Sequence, residues 1–244
     1  MAGDIRIGCS GWSYPHWKSV FYPEKLPARD HFAFYAQHFN TVELNNSFYR
    51  QPTRERFVAW GEQAPPGFLF AVKGSRYVSH IKRLAVEPKS IDLVVAAARG
   101  LGNKLGPILF QLQANFRIDL ERLERFVAML PTDLRYTLEF RHDSWLVPAV
   151  FDVLRAHGIA LCIPDDPKMP KSFEITSDFT YIRMHQPPGG LGYGERALQS
   201  WAQRLLEWSG HKLDVFVYFN NDMEAHAVKD AQTLISLLPK IGQP

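Results

Sequence analysis

The chain has 244 residues, of which 46% are hydrophobic and 22% charged, proportions that are ordinary for a globular domain. Its net charge of +3 is small for this length and no run of Lys and Arg occurs, so charge does not support binding to nucleic acid or to a membrane. No apolar run approaches the ~18 residues that span a bilayer, and we expect no signal peptide. Cys9 and Cys162 both lie in apolar segments, which predicts buried thiols of a reducing compartment rather than a disulfide. We therefore expect a cytoplasmic protein.

Short apolar runs alternate with helical patterns along the whole chain. Eight of these runs are predicted as strands, namely Ile5–Cys9, Thr41–Asn45, Phe68–Gly74, Pro107–Leu112, Tyr136–Arg141, Ile159–Asp165, Phe179–His185 and Val215–Asn220. Alternation of strands with helices implies parallel strands joined by right-handed crossovers. Eight repeats, the chain length and the absence of a Gly-rich dinucleotide turn after the first strand favour one closed α/β barrel over an open sheet. We predict a single (β/α)8 TIM-barrel domain over residues 1–244.

Polar side chains recur near the C-terminal ends of the predicted strands. In a parallel barrel, polar residues in phase at these ends point into the mouth, where the active sites of TIM barrels lie. The residues are Glu43, Asn45, Lys73, Gln111, Gln113, Glu139, Arg141, Asp165, Arg183, His185, Tyr218 and Asn220. Buried charges need partners, so each one could belong either to a self-neutralising network or to a ligand site. For the ring as a whole we expect a ligand site.

Several motifs follow one another in a specific order across nearly the whole chain. They are Gly8-Cys9-Ser10-Gly11-Trp12-Ser13-Tyr14, Phe39-Asn40-Thr41-Val42-Glu43-Leu44-Asn45, Phe48-Tyr49-Arg50-Gln51-Pro52, Phe70-Ala71-Val72-Lys73 with a later His80, Glu139-Phe140-Arg141-His142, Tyr181-Ile182-Arg183-Met184-His185 and Val217-Tyr218-Phe219-Asn220-Asn221. In this order they resemble the domain-of-unknown-function-72 family, also called YecE-like. The resemblance implies a barrel of the TIM type and no settled reaction.

Two loops depart from the pattern of that family. The family usually has Leu-Pro-Pro after the fourth strand, whereas this chain has Leu112-Gln113-Ala114. After the closing Asn-Asn the family usually continues toward a Gly, whereas this chain has Met223-Glu224-Ala225-His226. The departures leave the shape of two mouth loops open, and they do not affect the predicted fold.

The carboxylates and one histidine of the ring are the predicted acid–base groups. Glu43 and Glu139 lie on non-adjacent strands, and a carboxylate pair can run acid–base chemistry if its two pKa values are split. Arg141 would keep Glu139 ionised, so a base, a cation ligand and a salt bridge all stay open. His185 is an acid, a base, a metal ligand or a structural residue. A metal site would need Glu43, Glu139, Asp165 and His185 to converge, and these ligands would suit Mg or Mn. The sequence has no close-spaced metal-ligand motif that supports such a site.

The remaining predictions concern ligand binding. Lys73, Arg141 and Arg183 make the mouth a suitable host for an anion. The Gly-rich loop 186–194 precedes a helix. This pattern is a weak indication of an anion-binding loop, and a mobile lid is the alternative. Trp12, Tyr14 and Trp145 belong either to the core or to a wall on which a ring stacks. The predicted substrate-binding residues are Trp12, Tyr14, Asn45, Lys73, Gln111, Arg141, Asp165, Arg183, Tyr193, Asn220 and Asn221.

The leading hypothesis is an enzyme, of hydrolase or lyase/isomerase type, acting on a phosphate- or carboxylate-bearing small molecule. Glu43, Glu139 and His185 would carry the acid–base chemistry. The alternatives are a metal-dependent phosphodiesterase or repair-type endonuclease, a glycoside hydrolase, and a binding barrel without turnover. A nucleic-acid partner has no support from charge, and no membrane partner is expected.

Overall fold

The computed structural model describes residues 2–187 and 189–238, and within them eight parallel strands form one sheet. The strands are β1 (Ile5–Cys9), β2 (Thr41–Leu44), β3 (Leu69–Lys73), β4 (Leu105–Gln111), β5 (Tyr136–Glu139), β6 (Ala160–Asp165), β7 (Phe179–Met184) and β8 (Asp214–Phe219). Their order is β1-β8-β7-β6-β5-β4-β3-β2. All eight predicted strands are confirmed, with ends that agree within two residues.

The α-helices of the described residues lie in the connections between strands and after β8. They are α1 (His31–Tyr35), α2 (Asn46–Tyr49), α3 (Arg54–Gln63), α4 (Pro88–Ala98), α5 (Leu120–Val127), α6 (Pro148–Ala156), α7 (Glu195–Gly210) and α8 (His226–Leu237). The connection from β6 to β7 has no helix. Pro167 and Pro170 lie in that segment, and proline removes a backbone donor and disfavours helix in the preceding residue.

A tyrosine side chain joins the two ends of the sheet order. The backbone N–H of Cys9 in β1 donates to the hydroxyl of Tyr35 at 2.8 Å, and this hydroxyl donates to the carbonyl of Thr41 in β2 at 3.0 Å. Gly8 permits the close approach of the two strands, because a Cβ at this position would collide with the Thr41 carbonyl oxygen. The sheet is thus a nearly closed barrel with helices between its strands, which confirms the predicted TIM-type fold.

Apolar side chains fill both sides of the sheet. The interior holds a cluster that includes Leu109, Cys162, Phe179 and Phe216, and a larger cluster lies between the strands and the helices. Cys9 and Cys162 are buried free thiols, as predicted. In the described ranges, every helix falls short of the length or the hydropathy that crossing a bilayer requires.

Candidate functional site at the barrel mouth

The mouth is organised around one buried guanidinium. Arg183 on β7 donates from Nε to Glu43 Oε2 at 2.9 Å and from Nη2 to Glu43 Oε1 at 2.8 Å. Its Nη1 donates to Glu139 Oε2 at 2.8 Å. The side chains of Arg183, Glu43 and Glu139 are 1%, 0% and 0% exposed. Glu43 lies on β2 and Glu139 on β5, so one arginine crosses the barrel and neutralises both buried carboxylates.

Other polar groups occupy the remaining acceptor positions of the two carboxylates. Glu43 accepts from the Ser10 hydroxyl and the Tyr181 hydroxyl, each at 2.7 Å. Glu139 Oε1 accepts from Gln111 Nε2 at 2.9 Å and from Arg141 Nε at 2.7 Å. Buried carboxylates with this many donors are held firmly in one orientation.

The electrostatic surroundings keep both carboxylates ionised. Burial acts to raise the pKa of Glu43, but the charge and hydrogen bonds of Arg183 outweigh it and leave the pKa below its ordinary value. Burial likewise acts to raise the pKa of Glu139, and the charge of Arg183, with a smaller effect from Arg141, holds it well below the ordinary value. Neither carboxyl therefore has a proton to donate near neutral pH, so the geometry favours fixed negative charge over acid catalysis.

His185 lies between the charged cluster and the loop after β8. Its Nε2 is 3.2 Å from Arg183 Nη1, and its Nδ1 is 3.1 Å from Asn220 Nδ2. Because arginine can only donate, Nε2 accepts, and Nδ1 then carries the proton. We therefore assign the Asn220 amide with its oxygen toward Nδ1. The side chain of His185 is 7% exposed, so it lies at the floor of the mouth.

Lys73 differs from the other cations of the mouth. Its Nζ lies 4.3 Å from the centroid of the Phe48 ring. Among the described residues no carboxylate is within salt-bridge distance of this nitrogen, since Arg183 and Arg141 pair with the glutamates. Burial and the nearby charge of Arg183 lower the pKa of Lys73 to about 8. The mouth thus holds an ammonium group that has no charged partner within residues 2–187 and 189–238.

His80 is a mouth residue that reasoning from strand ends missed. It lies on the π-helical turn Tyr77–Ile81, and its ring packs edge-on against Phe48 with centroids 4.8 Å apart. Burial, Lys73 and Arg141 lower its pKa to about 4, so the imidazole is neutral near pH 7. The only sequence signal for His80 is its place in the motif that follows Lys73. Such π-turns occur frequently at functional sites.

Two amide side chains beside α2 have polar atoms without partners. The Oδ1 of Asn45, and both amide atoms of Gln51, are buried and make no hydrogen bond to any described residue. Asn45 and Gln51 flank the helix that carries Phe48, the ring beneath Lys73. Buried polar atoms are normally bonded, so these two amides suit a ligand or ordered water.

Asp165 does not belong to the cluster, contrary to the expectation that it points into the mouth. Its carboxylate accepts from Trp201 Nε1 of α7 at 2.9 Å and pairs with Lys171 Nζ at 2.7 Å. On β6 the even-numbered residues, such as Cys162, pack in the barrel interior, so Asp165 faces the helix layer. The four residues proposed for a metal site therefore do not converge. Residues 2–187 and 189–238 contain no group of three or more His, Cys, Asp or Glu placed to hold a metal ion.

Tyr193 and Asn221 hold the Gly-rich loop onto α8 rather than lining the mouth. The backbone N–H of Tyr193 donates to Asp230 Oδ2 at 2.9 Å, and its hydroxyl donates to the Asp165 carbonyl at 3.0 Å. Asn221 Nδ2 donates to Asp230 Oδ2 and to the Leu191 carbonyl, each at 2.8 Å. The second half of this loop is thus anchored, which argues against a lid that moves as a whole.

The three aromatic residues proposed as a stacking wall have core or structural contacts. Trp12 packs against Phe32 and Trp60 with ring centroids 5.1 and 5.6 Å away. Tyr14 donates its hydroxyl to the Ser10 carbonyl. Trp145 is buried, stacks on Phe140 with centroids 4.8 Å apart and donates to the Phe116 carbonyl at 2.6 Å.

Comparison with known proteins agrees with this architecture. The family model described as "Protein of unknown function DUF72" matches residues 6–243. The chain belongs to the DUF72 family. The UPF0759 protein YunF of Bacillus subtilis is 27% identical to it over 96% of this chain and 94% of that protein. The UPF0759 protein YecE of Escherichia coli K12 is 30% identical over 84% of this chain and 82% of that protein.

Solved structures of DUF72 proteins have the same fold. That of a family member from Thermotoga maritima matches with a TM-score of 0.86 and 28% identity, covering 96% of this chain and 98% of that one. One from Enterococcus faecalis matches with a TM-score of 0.81 and 20% identity, covering 98% and 97%. The names of these DUF72 relatives specify no reaction.

The loop after β8 of this DUF72 chain has an unusual backbone. Glu224 and Ala225 have φ values of 54° and 59°. This left-handed region favours glycine and costs other residues about 1–2 kcal/mol each. Glu224 and Ala225 thus adopt, in a loop at the mouth of the barrel, a left-handed backbone conformation that glycine adopts at lower cost.

Proposed function

We propose that this DUF72 barrel binds a small molecule bearing a phosphate or carboxylate group at its mouth, and acts on it as an enzyme. The observation that carries the proposal is the ammonium of Lys73, which has no charged partner among the described residues. Lys73 is partly buried, and removing a cation from water is costly unless an opposite charge approaches it. An anionic ligand would supply that charge.

The charge balance of the mouth supports an anion over a cation. Among the residues that the structure describes, Arg183, Arg141 and Lys73 face two carboxylates, Glu43 and Glu139, and Arg183 already bridges both. Arg141 uses Nε for Glu139, and its side chain is 28% exposed, so its Nη atoms remain available to a ligand. A guanidinium and an ammonium on one rim are a suitable pair for phosphate or carboxylate.

The catalytic part of the proposal rests on the histidines. His185 lies within hydrogen-bond distance of Arg183 through Nε2 and of Asn220 through Nδ1, and it would exchange its Nδ1 proton with a ligand that takes the place of the Asn220 amide. Glu43 and Glu139, which were the sequence candidates for acid–base work, would instead hold Arg183 in place. In this assignment His185→Asn lowers turnover more than affinity, whereas in a barrel that only binds, affinity alone changes.

A thermal-shift experiment tests the anion site. The wild type is melted in sodium phosphate, in sodium citrate and in sodium chloride of equal ionic strength. We expect phosphate or citrate to raise Tm over chloride, and Lys73→Met and Arg141→Met to remove this gain. Lys171→Met is the matched control, because Lys171 pairs with Asp165 outside the mouth. Equal gains in the wild type and both mouth variants would refute the proposal.

A further inference from the structure

We infer that Lys73 is a nucleophilic amine, and that it condenses with the carbonyl group of an aldehyde or ketone that also carries the anionic group. This inference rests on the proposed function and narrows its substrate class. It would make the barrel an enzyme of covalent amine catalysis.

The position of Lys73 is the first argument. It ends β3 inside the mouth, with its amine above the Phe48 ring rather than bonded to a carboxylate or a carbonyl of the described chain. Two other lysines of the described chain are engaged, the partly buried Lys104 and the exposed Lys171. Lys104 Nζ donates to the Gly61 carbonyl at 2.6 Å, and Lys171 Nζ bonds to Asp165 at 2.7 Å. The lone pair of a lysine is available for attack only when such partners do not hold the ammonium.

The surroundings of the amine are the second argument. The charged and titratable groups that face it are Glu43 from β2, His80 from the π-turn, Glu139 and Arg141 from β5 and its following residues, and Arg183 from β7. Burial above all, and then the charge of Arg183, lower the pKa of Lys73 to about 8, although the two glutamates act to raise it. The neutral amine is then on the order of a tenth of the population at pH 7, against far less for an ordinary lysine.

The step is a dehydration and needs no oxidant. Nζ of the neutral amine attacks the carbonyl carbon, a C–N bond forms, and the carbonyl π electrons move to oxygen. A proton passes from nitrogen to that oxygen, giving a carbinolamine. The hydroxyl then leaves as water, with the second nitrogen proton, as the nitrogen lone pair forms the C=N bond. His80, which is neutral and packs against the same Phe48 ring, is placed to carry the proton.

The neighbouring groups explain why the substrate would be anionic. No residue of the described part of the chain bonds to the Nη atoms of Arg141, which would therefore bind a phosphate or carboxylate at the rim. A substrate bound there would hold its carbonyl carbon near Lys73, and such positioning converts a bimolecular condensation into an effectively unimolecular one. The unpartnered amides of Asn45 and Gln51 would be further contacts for polar groups of the ligand.

Pyridoxal phosphate is a probe with both features, an aldehyde and a phosphate, and pyridoxal lacks only the phosphate. The full-length protein is incubated with each compound, treated with borohydride, which reduces the C=N bond to a stable amine, and mapped by peptide mass spectrometry. We expect Lys73 to be modified on the order of ten-fold faster than the exposed Lys168, and faster by pyridoxal phosphate than by pyridoxal. Lys104 should stay unmodified. Because the adduct is located in the wild-type protein, this result does not depend on a variant folding.

Two variants and the thermal shift separate the outcomes. Lys73→Arg keeps the charge and should form no adduct at position 73, and Arg141→Met should abolish the preference for the phosphorylated probe. If pyridoxal phosphate raises Tm yet no Lys73 adduct is trapped, the inference is overturned and the anion site stands. If pyridoxal modifies Lys73 as fast as pyridoxal phosphate, the amine is supported and the anion site is contradicted. Modification of Lys73 no faster than of Lys168, without any Tm gain, overturns both.

Discussion

Arg183 holds Glu43 with two parallel hydrogen bonds, from Nε at 2.9 Å and from Nη2 at 2.8 Å. This fork geometry needs a planar guanidinium, which lysine cannot supply. The third bond of Arg183 reaches Glu139 and ties three strands together at one level of the barrel. The cluster therefore has a structural role whatever ligand the mouth takes.

Replacing Arg183 tests that role. Arg183→Met leaves two buried carboxylates without their main partner, and we expect it to lower the free energy of unfolding by about 3–5 kcal/mol. Urea denaturation followed by circular dichroism measures the change. Arg155→Met is the control, because Arg155 makes surface ion pairs with Asp152 and Glu174 that are worth at most about 1 kcal/mol. Similar losses in the two variants would show that the buried cluster is not a main source of stability.

The strand pattern was enough to place most of the charged cluster. Hydrophobic runs located all eight strands, and the two-residue period put Glu43, Glu139 and Arg183 on the inward faces. The same logic failed for Asp165, because a sequence does not reveal which of its two faces a strand turns inward when both are apolar. On β6 the inward face is the even one.

Contacts made by side chains from distant segments could not be predicted from the sequence. The Tyr35 hydroxyl bridges β1 and β2, and a helical residue gives no signal of that role in its spacing. The ion pairs of the mouth could not be predicted either, since three cations and two carboxylates allow several pairings. In the structure, Arg183 forms salt bridges with both glutamates, and Lys73 forms none with any described residue.

The tyrosine that joins the barrel ends gives a second prediction. Tyr35→Phe removes one donor and one acceptor and leaves the Cys9 N–H and the Thr41 carbonyl unpaired, so we expect a loss of about 1–3 kcal/mol. Amide hydrogen exchange at Cys9 should quicken. Tyr136→Phe is the matched control, since the Tyr136 hydroxyl is buried without a partner in the described chain and its loss should cost little. If Tyr136→Phe lowered the free energy of unfolding as much as Tyr35→Phe, the hydrogen bonds of Tyr35 between β1 and β2 would not be the source of the stabilisation.

The ionised glutamates make stability depend on pH. The pKa of Glu43 is lowered in the folded state, so its contribution is present above its ordinary pKa of 4.5 and is lost as the pH falls through the lower folded value. Glu43→Gln should therefore be less stable than the wild type at neutral pH, and the difference should shrink below pH 4.5. Urea unfolding across this range measures it. Glu121→Gln, a change at an exposed ion pair with Arg125, should show almost no pH-dependent difference.

Asp165 provides a test of which residues form the mouth. Asp165→Ala removes the acceptor of the Trp201 indole and should cost about 1–2 kcal/mol through the packing of α7. The Tm gain from phosphate should stay as in the wild type, because the carboxylate faces the helix layer. Loss of that gain in a folded Asp165→Ala protein would place Asp165 back among the ligand-binding residues.

The titration of Lys73 tests the account most directly. In protein carrying isotope-labelled lysine, the Lys73 signal is identified with Lys73→Arg and followed by NMR against pH, with and without inorganic phosphate. We predict a midpoint near 8 without phosphate and a higher midpoint with it, since a bound anion stabilises the ammonium. A midpoint near the ordinary value of 10.5 that phosphate leaves unchanged would contradict the proposal that Lys73 binds an anion at the mouth.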